Sequence, residues 1–175
     1  MKLADEININ LVSYLERAGQ LFPVPNYYIG RYECDVFSTT KSGITVEYEI
    51  KISVADYKND FNKDNSGSWA VRTGRGIKLN KHDLIKKGQR TAKFYFVTPT
   101  ALLDKNELPA YVGLIEWQLS PYHYMHFVTI KKAPLLHKRL VDYSKSVPIG
   151  IANAFYYRYK HYKYKLAKIK RSSGV

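Results

Sequence analysis

"VEYEIKIS" occupies residues 46–53 and alternates without a fault: Val46, Tyr48, Ile50 and Ile52 point to one side, and Glu47, Glu49 and Lys51 to the other. A two-residue period rich in β-branched and aromatic side chains predicts a strand with one apolar face. Taken alone, the charged row is what the wet face of such a strand carries, with weak pairing between neighbours. The preceding text changes its meaning. "RYECDVFS" (31–38) alternates in the same way, with Tyr32, Cys34 and Val36 on one side and Glu33, Asp35 and Phe37 on the other, and "TTKSG" supplies a glycine-bearing turn between the two runs. Residues 31–53 are therefore expected to form a β-hairpin. Asp35 lies fourteen residues before Glu49, so pairing of the two strands brings the two carboxylates together.

Upstream, Ile7, Leu11, Val12, Leu15 and Ala18 recur at helical spacing and Gly19 follows as the expected C-cap. "FPVPNYY" reads as a loop, because two prolines two residues apart restrict the backbone and remove donors. Downstream, Ser53 followed by Asp56 forms an acidic capping box, so a helix is expected to start at Val54. The polar, glycine-bearing stretch from Asn62 to Gly76 reads as a mobile loop. "KHDLIKKG" (81–88) predicts a short helix ended by Gly88, "KFYFVTP" (93–99) and "YVGLIEW" (111–117) predict central strands, and "HYMHFVTI" (123–130) one more.

The 175-residue length favours a single domain with one real core. Residues 1–130 form the expected core and residues 131–175 a basic extension. In that extension Phe155, Tyr159, Tyr162, Leu166 and Ile169 recur in steps of four and three, predicting a helix packed on the core beside a basic field of Arg158, Lys160, Lys163, Lys165, Lys168, Lys170 and Arg171. Residues 131–175 hold twelve Lys/Arg against one acid, Asp142, and so carry +11 of the net +13. Such a surface attracts polyanions through Coulomb attraction and counterion release. The expected partner is DNA, with RNA the other polyanion the charge admits. An anionic membrane surface contacted by the Tyr/Lys tail is the weakest of the three readings.

No apolar run approaches the roughly eighteen residues a membrane span requires, and the opening "MKLADEININLVSYLERAG" has no apolar signal core. A cytoplasmic protein of a bacterial or phage-infected cell is the expectation. Cys34, the single cysteine, makes no internal disulfide, and no Cys/His cluster has zinc-ligand spacing.

Two carboxylates and a backbone carbonyl are a sufficient protein share for a hard divalent cation, which takes oxygen ligands and keeps several waters. Asp35, Glu49 and the carbonyl of Ile50 meet that description for Mg²⁺ or Mn²⁺. Lys51, two residues from Glu49 on the same strand face, is placed to orient or deprotonate an attacking water and to offset charge in the transition state.

An acid on one strand of a hairpin, then "E-I-K" on the next, with helices on either side, resembles the PD-(D/E)xK nuclease superfamily. Asp35 matches its first acid, Glu49 its second and Lys51 its lysine, while Cys34 stands where the superfamily name has proline. The order of helix, hairpin, helix and further strands extends the likeness over roughly residues 1–118. "EIKISVADYKNDF" (49–61) is similar to the segment of MmcB-like DNA-repair and small phage-type nucleases in which E-I-K precedes a helix carrying D-[YF]-x-x-D. "FYFVTP", "LPAYVGLIEW" and "KKAPLLHKR" are similar to later blocks of those sequences, in the same order. The resemblance implies an α/β, restriction-endonuclease-like core, a mixed central sheet flanked by helices, and metal-dependent hydrolysis of phosphodiesters. Its structure-selective members, junction resolvases among them, imply a homodimer.

Other residues carry less. Glu33 and Glu47 share faces with Asp35 and Glu49 and are read as further acids near the metal or, more simply, as surface charge. Glu16 sits where some superfamily members offer another acid. Asp56 is expected to serve the helix start and Asp60 a local charge pair. His82, His123, His126, His137 and His161 show no metal spacing, and His82 gains interest only by lining the cleft. Trp69, Arg72, Arg75 and Lys78 are placed to grip nucleic acid by stacking and phosphate contact. The competing expectation is a nucleic-acid-binding accessory protein that keeps the nuclease-like fold without catalysis.

Overall fold

The computed structural model describes residues 3–29, 32–64, 74, 79–121 and 124–139. The chain divides into two units, residues 1–140 and 141–175. The expected basic helix falls in the second unit and Trp69, Arg72, Arg75 and Lys78 in the first, and all of them lie outside the described residues.

The first unit is α/β, a six-stranded mixed sheet flanked by helices. Helix α1 spans Leu3–Arg17. Its end is set by Gly19 at φ 77°, a left-handed turn that lets the Gln20 N–H reach the Leu15 carbonyl at 2.9 Å. Strands β1 (Leu21–Ile29), β2 (Tyr32–Thr39) and β3 (Thr45–Ile50) form an antiparallel meander. Helix α2 (Val54–Asp60) begins where the capping box predicts, with Ser53 Oγ accepting the Asp56 N–H at 3.1 Å. Helix α3 (Lys81–Lys86) precedes β4 (Lys93–Pro99), β5 (Gly113–Leu119) and β6 (Met125–Lys131). The sheet order follows the sequence; β3, β4 and β5 run parallel, and β6 returns antiparallel to β5.

One expectation is corrected. "FPVPNYY" is not a loop but lies within β1, pairing Val24 with Phe37, Pro25 with Val36 and Tyr27 with Cys34. An edge strand bonds on one side only, so it tolerates proline where a central strand does not. The register shifts between Leu21 and Val24, and Phe22 and Asn26 stand at φ 50° and 48°, a bulged and twisted edge. Strand β3 also ends at Ile50, and Ile52 turns out to solvent instead of extending the apolar row.

The alternation of β3 separates two cores. Val46, Tyr48 and Ile50 pack with Ile7, Leu11 and Leu15 of α1 and with Val36, Val97, Ile115 and Phe127. Burying each aliphatic side chain of α1 contributes about 1.5–3 kcal/mol. On the other face Phe94, Phe96 and Leu114 pack with Ile85 of α3, and Tyr57 of α2 and Phe61 just after that helix cover them. Glu47, Glu49 and Lys51 point into this second face and are all buried. The row that alternation alone would leave wet is an interior one, because α2 and α3 roof it.

A buried charge cluster with an acidic mouth

Strand β2 brings Asp35 beside β3. The ladder between these strands runs from Thr39↔Thr45 to Val36↔Tyr48. Beyond it the Asp35 side chain takes over, with Oδ2 accepting the Ile50 N–H at 2.7 Å. Helix α1 supports this end of β2 through Asn8, whose Nδ2 donates to the Asp35 carbonyl at 3.0 Å. Because the Lys51 N–H bonds to Val97 on the β4 side, the alternating Ile50 peptide faces β2, with its carbonyl on the same edge as its N–H. The Asp35 side chain and the Ile50 carbonyl thus share one strand edge, and Glu49 lies near enough for its charge to act on Asp35.

Burial pushes the Asp35 carboxyl up, and the nearby Glu49 charge pushes it further, to about 6, against the Ile50 N–H and the charges of Lys51 and Lys63. Lys51 Nζ lies 3.2 Å from Glu49 Oε2 and 2.8 Å from Asp60 Oδ1. Glu49 and Lys51 form an ion pair whose two charges both act on Asp35.

Asp60 does more than the local pairing expected of it. Its carboxylate is fully buried and receives Lys51 and, on its other oxygen, His82 Nε2 at 2.8 Å. Lys63, one turn on, also reaches Oδ1, at 2.6 Å. Burial would raise Asp60, but the His82 hydrogen bond and the charges of Lys81, Lys51 and Lys63 hold it well below the ordinary carboxylate range. His82 is in turn fixed by Tyr111, whose hydroxyl lies 3.0 Å from Nδ1, and by stacking on Phe61. It lines the cluster without any metal spacing around it.

Glu47 is likewise not a surface charge. It is fully buried and clamped by Arg90, with Nε on Oε2 at 3.0 Å and Nη2 on Oε1 at 2.7 Å, a bidentate pair. Arg90 also donates to the Ile29 carbonyl and stacks over Tyr32, tying the edge of the sheet to its centre. Burial works to raise Glu47, yet Lys81 and Arg90 hold it low. Glu33 and Glu16 are exposed and outside the cluster; Glu33 accepts from the Tyr28 hydroxyl across the β1–β2 pair.

Three cations of the cluster, Lys63, Lys81 and Arg90, are not picked out from the sequence, and Lys81 is the most buried of them. With 0% exposure it bonds Glu49 Oε1 and lies 3.3 Å from Glu47 Oε1 and 3.7 Å from Asp60 Oδ2. Burial alone would lower its pKa, but the three acids raise it, so it stays an ammonium. A usable signal existed. Lys81 is the first residue of α3 and Asp60 the last of α2, each at the end of a helix whose dipole disfavours its charge. Two such misplacements are relieved when the helix ends meet. Arg90 carried no comparable mark.

Counting the named groups, Asp35, Glu47, Glu49 and Asp60 face Lys51, Lys63, Lys81 and Arg90, four carboxylates against four cations. Among the described residues no three His, Cys, Asp or Glu side chains form a metal cluster. Cys34 beside this site is a buried thiol that donates to the Tyr27 carbonyl at 3.1 Å, its pKa raised by burial and by Glu47 and Glu49. Among the described residues no helix is long and apolar enough to cross a membrane.

No family model matches the chain. No curated protein matches it either. A solved structure, that of a protein of unknown function from Silicibacter pomeroyi, is similar over 95% of this chain and 90% of its own, with 15% identity and a TM-score of 0.47.

Proposed function

We propose that the chain is a metal-dependent nuclease that hydrolyses phosphodiester bonds of DNA, with Asp35, Glu49 and Lys51 at its centre. The observation that carries this reading is the Asp35 carboxyl reaching across to the Ile50 N–H, which sets it beside Glu49 so that the two acids repel. Placing like charges together where they are partly buried is unfavourable unless cations join them, a role that Lys51 and Lys63 take here and that a divalent cation would share. The element order supports the reading too, since the first acid lies on β2, the Glu49-Ile50-Lys51 segment at the end of the adjacent β3, and helices lie on both sides.

Asp35, Glu49 and the Ile50 carbonyl, all hard oxygen donors, would hold Mg²⁺ or Mn²⁺. The bound cation would supply Lewis acidity toward a phosphoryl oxygen and acidify water. Lys51, held between Glu49 and Asp60, would orient the attacking water and offset developing negative charge. Lys81 would keep Glu49 in one rotamer by binding the oxygen that Lys51 leaves. The backbone of the substrate would be held by Arg72, Arg75 and Lys78 and by the tail cations Arg158, Lys160, Lys163, Lys165 and Lys168.

The test is cleavage of supercoiled, linear, single-stranded and branched DNA with Mg²⁺, Mn²⁺ or EDTA, comparing the parent with Glu49→Gln and Lys51→Ala. Metal-dependent cutting that both variants lose is expected. The internal charge balance of the cluster favours one competing reading, a non-catalytic DNA-binding protein. Salt-sensitive binding that ignores divalent cations, with no cutting of any DNA form, would replace the nuclease by that binder.

A further inference from the structure

Lys63 differs from the other three cations of the cluster. Its side chain is 46% exposed, whereas those of Lys51, Lys81 and Arg90 are exposed by 2% or less. It nevertheless reaches both buried acids, with Nζ 2.6 Å from Asp60 Oδ1 and 3.5 Å from Glu49 Oε2. Its charge also acts on Asp35. One ammonium therefore sits in the field of both carboxylates read above as metal ligands.

Its backbone is pinned and its side chain is not. The Lys63 N–H donates to the Asp60 carbonyl at 3.1 Å, and the Lys63 carbonyl accepts the Lys81 N–H at 3.0 Å. Withdrawal of the ammonium needs only side-chain torsions and leads into water. Neither buried lysine has that route, because the side chains of Lys51 and Lys81 are exposed by only 2% and 0%. Of the two Glu49 oxygens, Oε1 is bonded by Lys81, whereas Oε2 is shared by Lys51 at 3.2 Å and Lys63 at 3.5 Å.

We propose that Lys63 is the resident counter-ion of this site, which a divalent cation displaces from Glu49 when it binds beside Asp35; the inference rests on the metal site proposed above. Charge supports the exchange. With Lys63 in place the carboxylates balance the lysines and Arg90, four against four. Replacing one ammonium by a divalent cation leaves it at +1, the complement of one phosphodiester. The expelled ammonium stays tethered at the mouth, where an incoming phosphate would meet it. Lys63 would thus set metal affinity and couple it to substrate charge.

The test is Mn²⁺ binding to the full chain, by calorimetry and by the electron paramagnetic resonance signal of free Mn²⁺, for the parent, Lys63→Met and Lys63→Gln, with Lys63→Arg as the charge-keeping control. Either neutral variant should bind Mn²⁺ about tenfold or more tightly than the parent, the order expected for losing one partly screened Coulomb competitor. Lys63→Arg should not. In EDTA the neutral variants should melt below the parent, and saturating Mn²⁺ should close that gap. Binding by the neutral variants at parental affinity or weaker overturns the role of Lys63 while leaving the metal site standing. Absence of Mn²⁺ binding in the parent and in every variant overturns both.

Discussion

Replacing Asp35 by asparagine should stabilise the metal-free protein at neutral pH. Asparagine keeps the size of the side chain and an oxygen for the Ile50 N–H, but removes the charge that faces Glu49. The Asp35 carboxyl is raised from 3.8 to about 6 by burial first and by Glu49 second. A carboxyl whose pKa is higher folded than unfolded holds its proton more tightly in the folded state. Its contribution to stability is full below pH 3.8 and is lost as pH rises to about 6. A shift of that size corresponds to at most about 3 kcal/mol at ~1.4 kcal/mol per unit, less whatever solvent access screens. For a chain of this length 1 kcal/mol moves Tm by about 2–4 °C. Thermal unfolding in EDTA should therefore show Asp35→Asn and the parent melting together near pH 4 and separating above pH 6, with the variant higher by several degrees. Mn²⁺ should raise the parent and leave the variant unmoved. A variant that melts below the parent at pH 7, or a gap that closes as pH rises, would refute the frustrated pair.

Lys81→Met should behave oppositely: stranding Glu47 and Glu49 without their shared ammonium should cost about 3–5 kcal/mol in denaturant unfolding, with Glu49→Gln in the same chain recovering part of the loss. A single variant within 0.5 kcal/mol of the parent, a gap of the size ordinary surface changes make, would show that Lys81 is dispensable. Gly113→Ala should destabilise by about 1–3 kcal/mol, because a Cβ there would come within 2.4 Å of the Tyr95 ring and 2.7 Å of the Ala133 backbone nitrogen. An unchanged midpoint in the same assay would mean that β5 shifts to accommodate it.

Much of this protein could be read from residues close together in the chain. The two-residue period of Val46–Ile50 and the turn before it specified β2 and β3, and pairing of neighbouring strands needs no more than a short loop to bring Asp35 to Glu49. Ser53 with Asp56, and Gly19, marked helix ends because caps act within one turn. Tertiary structure decided the rest. By local rules the prolines of β1 mark a break, since such rules do not say which strand is an edge. Whether Glu47, Glu49 and Lys51 faced water or an interior depended on α2 and α3 crossing over them. Lys81 and Arg90 reach Glu49 and Glu47 from more than thirty residues away, through a parallel crossover that no short-range period encodes. A charge pattern along one strand names the groups, and only the packed layer above it settles their dielectric and their partners, which is why one row can be a wet face or a reaction centre.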